Sequence, residues 1–245
     1  MKRKLETKAR NQNSLGSKEE LPTKLSPKFS VKKAHQMQRR LSRKLLFEDT
    51  VPETVDYVAG VDVAYLQDSS VGAVAVLDFS TLSQVEFQVT QVKTCFPYVP
   101  TLLSFREIPP AYSAIRMLHI KPDVFLVDGQ GFAHPYGLGF ASHLGLILDK
   151  PTVGVAKSLL CGKVEQVDES GRVAPLKDKG EIIGAKVVTK QGTKPVYVSV
   201  GHKVSLKRAT EIVMECTGKY RLPEPIRRAH IIASEEKRRL EKSIL

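Results

Sequence analysis

The sequence predicts an α/β domain with a mixed sheet, in which an antiparallel meander joins parallel strands and helices flank the whole. Three β-rich runs (57–66, 71–79 and 84–95) follow one another through short polar turns, a spacing that favours antiparallel pairing. Farther on, the apolar runs Val124–Val127 and Thr152–Ala156 enclose an apolar helical segment at 138–148. That is the pattern of a β-α-β unit with parallel strands and a right-handed crossover. At 245 residues and 42% hydrophobic side chains, the chain is long enough to bury a sizeable core.

In chain order, residues 1–29 mix Lys, Asn, Ser, Gly and Pro with few large apolar groups, which predicts a disordered basic tail. A folded domain is expected over 30–245. Between Ser30 and Phe47, Val31, Ala34, Met37, Leu41 and Leu45 recur at helical spacing. They define a basic amphipathic helix with Arg39, Arg40, Arg43 and Lys44 on its outer side. The meander follows, its first two strands split by Gln67-Asp68-Ser69-Ser70. Next, Pro97 and Pro100 bracket Tyr98 and stiffen its backbone. A helix is predicted from Pro110 to Leu118, then the two parallel strands, the second ending at Lys157. Residues 171–180 read as a polar excursion. Runs 181–188 and 195–200 form a hairpin around Lys190-Gln191-Gly192-Thr193. Ser205 is a good N-cap for a helix running through Cys216, and Leu222-Pro223-Glu224-Pro225 opens a last helix to Lys242.

Charge is unevenly spread. Residues 1–44 carry 14 Lys/Arg against three Glu, whereas the remaining 201 carry 24 basic and 23 acidic side chains. The chain thus reads as a nearly neutral globule with a basic arm, either a phosphate-binding arm or a solvated tail. Cys95, Cys161 and Cys216 are odd in number and outside any Cys-x-x-Cys pattern. This argues against disulfides and zinc, and for a reducing compartment. The polar start Met-Lys-Arg-Lys and the lack of any run of ~20 apolar residues point to a cytoplasmic protein that avoids membranes.

Two aspartates carry the chemistry. Asp62 interrupts the apolar run Val58–Leu66, where a carboxylate is costly unless paired or bound to a cation. Asp128 ends the strand Val124–Val127 and opens the glycine-rich loop Gly129-Gln130-Gly131, with His134 just beyond. Taken alone, Asp128 serves equally well as the cap of the next helix or as an acid at the lip of a cleft. The element order is that of the ribonuclease H-like fold, whose topology lays the strands of Asp62 and Asp128 side by side. Adjacent carboxylates repel unless a hard cation lies between them, and Mg²⁺, with Mn²⁺ as substitute, meets that demand. Tyr98 suits stacking on or wedging between bases, or else covers the core edge. Glu107 reads on its own as an ordinary solvated acid at a helix start.

Several stretches resemble the endonuclease V family: Val-Ala-Gly-Val-Asp-Val-Ala-Tyr (58–65), Pro-Tyr-Val-Pro (97–100), Phe-Arg-Glu (105–107), Val-Asp-Gly-Gln-Gly (127–131) and His-Pro (134–135). Ala-Ser-His-Leu-Gly (141–145), Pro-Thr-Val-Gly-Val-Ala-Lys (151–157), Val-Ser-Val-Gly-His (198–202) and Arg-Leu-Pro-Glu-Pro (221–225) continue the series in order. The resemblance implies an Mg²⁺-dependent DNA-repair endonuclease that recognises inosine in DNA. It would cut the second phosphodiester 3′ to the lesion, leaving 3′-hydroxyl and 5′-phosphate ends. By the same resemblance Asp62 and Asp128 bind metal, Glu107 is the third acid, and Lys157 stabilises phosphate charge. His230 supports the site from the last helix, Tyr98 is the wedge, and Gly131 and His134 line the hypoxanthine pocket.

The chain departs from the family pattern at Thr101, where glycine is common, which is expected to alter the mobility of the wedge loop. Gln130 stands where His or Asn is frequent. Two rivals remain at this point: an inosine-specific endoribonuclease, and a non-catalytic nucleic-acid-binding module using the basic arm, Arg39, Arg40 and Tyr98. A monomer is expected.

Overall fold

A computed structural model describes residues 30–168 and 171–243, so the predicted disordered tail lies outside the described residues. Strand β1 (Tyr57–Tyr65) pairs antiparallel with β2 (Ser69–Asp78), which pairs antiparallel with β3 (Gln84–Lys93). This is the expected meander. On its other side β1 pairs in parallel with β4 (Val124–Asp128), and β4 in parallel with β5 (Thr152–Ala156). Both faces of β4 are covered, which is why its sequence reads as an unbroken apolar run. Four further strands, β6 (Lys163–Val164), β7 (Val173–Asp178), β8 (Glu181–Val187) and β9 (Val196–His202), extend the sheet. The order is β3-β2-β1-β4-β5-β9-β8-β7-β6.

Helices cover the two faces. α1 (Val31–Ser42) precedes the sheet, α2 (Ser104–Ile115) follows the meander, and α3 (Phe140–Leu148) makes the crossover from β4 to β5. α4 (Leu206–Glu215), capped by the Ser205 hydroxyl, and α5 (Glu224–Lys242) end the chain. Val61, Val74, Phe125, Val127, Phe140 and Leu144 form the core under α2 and α3. Val58, Leu77, Leu126, Val198, Ile212 and Ile226 form the core under α4 and α5. Alternate residues of β1 feed these two layers, as the pleat requires. No described helix is long and apolar enough to cross a membrane.

Three expectations are corrected. α2 begins at Ser104 and carries Pro109 and Pro110 inside it. Its first turn closes on Leu102 and Leu103 carbonyls before either proline is reached, so the prolines remove two mid-helix donors without marking the start. Residues 171–180, read as a polar excursion, contain β7, whose Ala174 and Leu176 are buried while Val173, Pro175 and Lys177 are only partly so. The buried face of α1 is narrower than the expected apolar stripe: Ala34 is buried but Val31 and Met37 are exposed, and the fully buried Gln38 stands among the inward residues.

Candidate active site

β1 and β4 run in register from Val58↔Val124 to Val61↔Val127, so Asp62 and Asp128 come next, side by side where β4 ends and β1 runs on to Tyr65. α5 is drawn against this edge by a close approach at Gly60, where a Cβ would lie 1.9 Å from the Pro225 carbonyl oxygen. Gly60 and Asp62 share one face of β1. The helix that crosses Gly60 therefore carries His230 to Asp62, and its Nδ1 lies 2.7 Å from Asp62 Oδ2. The other Asp62 oxygen accepts the Val63 amide at 2.8 Å. Asp128 pairs with Lys157, the residue just beyond β5. Arg221 steadies that lysine by donating to the carbonyls of Lys157 (2.9 Å) and Pro195 (2.7 Å).

Glu107 approaches from α2. It is only 9% exposed, so it is not a solvated helix-start acid. Burial first, then the charges of Asp62 and Asp128, push its pKa up to about 8. Asp128 is raised too, by burial and then by Asp62, with Lys157 working in the opposite direction. The hydrogen bond to Asp62 raises His230 and favours its imidazolium form. Tyr65 lies over the same cluster. Its hydroxyl nears Glu107 without completing a well-formed hydrogen bond, and burial followed by Glu107 raises its pKa. The Arg106 guanidinium sits 4.9 Å from the centre of its ring.

Two buried carboxylates, Asp62 and Glu107, and the partly buried Asp128 thus face one lysine and one histidine. Asp62, Asp128 and His230 each offer a donor atom, all within 4.8 Å of one another. Two carboxylate oxygens and one imidazole nitrogen fit a divalent cation, and its charge would relieve the repulsion that raises Glu107 and Asp128. The donor chemistry therefore fits a metal.

A cavity of about 370 Å³ opens beside the acids, lined in part by Tyr98, Thr101, Glu107, Asp128, Gln130 and His134. Tyr98 is 69% exposed at this cavity and does not serve as a core cover. His134 accepts the Tyr136 amide on Nδ1, and burial lowers its pKa to about 4, leaving the ring neutral. Gly131, expected to line a base pocket, is not among the residues that line this cavity. Its amide donates to Ser199 Oγ at 2.9 Å, and a Cβ would meet the Val200 carbonyl oxygen at 2.2 Å. Packing against β9 demands this glycine, and Gly129 and Gln130 form the lining instead.

Sequence reasoning missed Tyr65, Arg221 and Gln38. Gln38 falls between Ala34 and Leu41 on one stripe of α1, and a polar residue inside an apolar stripe is the signal that marks it.

Comparison with known proteins agrees with this geometry. The Endonuclease V family model matches residues 39–231. Endonuclease V of Thermofilum pendens (strain DSM 2475 / Hrk 5) is 48% identical over 212 residues, covering 86% of this chain and 90% of that protein. Endonuclease V of Rippkaea orientalis (strain PCC 8801 / RF-1) is 50% identical over 210 residues, covering 84% and 91%. Among solved structures, endonuclease V from Streptomyces avermitilis superposes with a TM-score of 0.80 at 37% identity, over 88% of this chain and 95% of that one. Ciona intestinalis endonuclease V, in complex with a 24mer DNA containing an inosine followed by a ribo-adenosine, gives 0.78 at 32% identity over 86% and 98%.

Proposed function

This chain belongs to the endonuclease V family, and we propose that it is an Mg²⁺-dependent endonuclease that recognises inosine in DNA. It cuts the second phosphodiester 3′ to the lesion, leaving 3′-hydroxyl and 5′-phosphate ends, in repair of deaminated adenine. The observation that carries this reading is the pair of adjacent aspartates, buried Asp62 and partly buried Asp128, beside a cavity at which Tyr98 stands exposed.

Asp62 and Asp128 would hold the cation, Mg²⁺ or Mn²⁺, which when bound would offset phosphate charge and favour ionisation of water. Lys157, anchored on Asp128 and steadied by Arg221, supplies a second positive charge at the scissile phosphate. Glu107 completes the acid cluster from α2, directly or through water. His230 orients Asp62 through Nδ1 and supports the site as an acid/base group. The displaced base enters the cavity beside the neutral His134 ring, and Tyr98 fills the gap left in the stack. The three cysteines are free, which suits a reducing cytoplasmic setting, and we take the protein to act as a monomer over residues 30–245.

Cleavage mapping on a duplex with one deoxyinosine tests this. The expected result is a single metal-dependent nick at the second phosphodiester 3′ to inosine. Equal cutting of the undamaged duplex would overturn the lesion assignment, and no nick with Mg²⁺ or Mn²⁺ would favour a binding module without catalysis.

A second reading, cleavage of inosine-containing RNA, has its own support. The Ciona intestinalis relative was captured on DNA in which a ribo-adenosine follows the inosine, so a 2′-hydroxyl is accommodated next to the lesion in that protein. Matched DNA and RNA substrates, compared by kcat/KM, decide between the two.

A further inference from the structure

We propose that α1 and Thr101 form a latch that sets the width of the cavity, which makes Gln38, His35 and Thr101 positioning residues for base discrimination. This rests on the cavity being the base-binding site. α1 contributes little to the core, with only Ala34 and Gln38 buried along its length. Its polar contacts go instead to the two cavity walls. The Gln38 side-chain amide donates from one nitrogen to the Thr101 carbonyl at 2.7 Å and to the Leu138 carbonyl at 3.2 Å. Thr101 belongs to the wall that carries Tyr98, and Leu138 to the wall that carries His134. One fully buried side chain thus staples both.

The orientation of that amide is not free. Both partners are carbonyl acceptors, so only the nitrogen can face them, and Gln38 Oε1 has no hydrogen-bond partner among the described residues. Thr101 is the hub of the latch. Its hydroxyl donates to the Pro100 carbonyl and so accepts from His35 Nε2 at 2.9 Å. His35 stacks on Tyr136, with ring centroids 3.9 Å apart, and so touches the second wall as well.

Thr101 holds a φ of +68°, a left-handed conformation that a β-branched residue adopts only when its surroundings enforce it. Glycine, common at this place in the family, reaches the same φ without strain. Here two polar contacts from α1, those of Gln38 and His35, hold a strained residue instead. The sequence suggested an altered mobility of the wedge loop, and the contacts indicate that the alteration is a stiffening.

The test compares Gln38→Met, which keeps volume but loses both donors, and Gln38→Glu, which presents acceptors to two carbonyls, with the parent enzyme. Duplexes carrying inosine or guanine at one position are the substrates, with Mg²⁺ present, and folding is monitored by Tm. Gln38→Met should raise KM for the inosine duplex about tenfold, leave kcat within about twofold, and narrow the inosine-over-guanine ratio. Gln38→Glu should do so more strongly. A part that merely held the fold together would lower Tm and the active fraction without changing KM or discrimination.

Thr101→Gly guards against a folding failure, because it removes strain and the His35 contact while keeping the carbonyl. It should raise KM about threefold with Tm no lower than the parent's. Parental KM and discrimination in all folded variants would overturn the latch while leaving the enzymatic reading intact. A parent that cuts no inosine substrate would instead remove the reading on which the latch depends.

Discussion

Glu107 and Glu86 are the same side chain in two settings, and the fold drives them in opposite directions. Glu86, on β3, works against some burial but accepts the amides of Ile120 at 2.8 Å and His119 at 3.0 Å, together with the His119 ring. Its pKa falls to about 2. Glu107 is buried among acids, and its pKa climbs to about 8. The first carboxylate is satisfied by backbone donors and ties β3 to the loop after α2. The second is buried beside two like charges, and that state is tolerated where a cation is part of the working molecule. The direction of the shift separates an acid that supports the fold from acids that serve a site.

The comparison breaks most readily at the aspartates. Asp62→Asn or Asp128→Asn should lower cleavage of an inosine duplex by about 10³-fold or more, since each removes a charged ligand from the cation site. Neither should lower the metal-free Tm by more than about 2 °C, because each also removes like-charge repulsion. Cleavage near the parental rate by either variant would show that the cluster is not the catalytic centre. The same variants sharpen the metal assignment. Saturating Mg²⁺ at about 100 times its Kd should stabilise the parent by about 2.7 kcal/mol and the variants by far less. An equal Tm rise in both would place the ion elsewhere.

A third test uses pH. An acid whose folded pKa lies above its unfolded value destabilises the fold once it must ionise. For Glu107 that penalty appears as pH rises from about 4.5 and is complete above about 8. Glu107→Gln should therefore raise the metal-free Tm by about 3–6 °C at pH 9 and leave it unchanged near pH 4. A uniform offset at both values would mean the effect is packing rather than charge.

Much of this arrangement was legible before the structure. Asp62 inside an apolar strand and Asp128 at the end of another are visible as sequence conflicts, and the order of strands alone implies that they are neighbours. What stayed hidden depends on side-chain direction. Glu107 looked solvated because the prolines at 109 and 110 suggested a later helix start, which hid the face it occupies. Gly131 looked like a ligand contact because a glycine needed for a close approach reads the same whether a base or a β9 carbonyl fills the space. Gln38 looked like part of a polar face, since the carbonyls it bonds lie 63 and 100 residues away.

The smallest expected effect comes from the other member of the pair. Glu86 has a depressed folded pKa, so the stability it contributes is present above its unfolded value near 4.5 and is lost as pH falls toward about 2. Glu86→Gln keeps the shape and one acceptor but gives up the charge that two amides and His119 oppose. The variant should be about 1–2 kcal/mol less stable than the parent at pH 7, with the gap closing by pH 2–3. Its cleavage of inosine DNA should match the parent's, because among the described residues Glu86 bonds the His119–Ile120 turn and Gln88 and no member of the acid cluster. A stability gap that persists at low pH would mean that shape rather than charge makes Glu86 structural. A loss of cleavage at full stability would join the two regions that the opposite pKa shifts set apart.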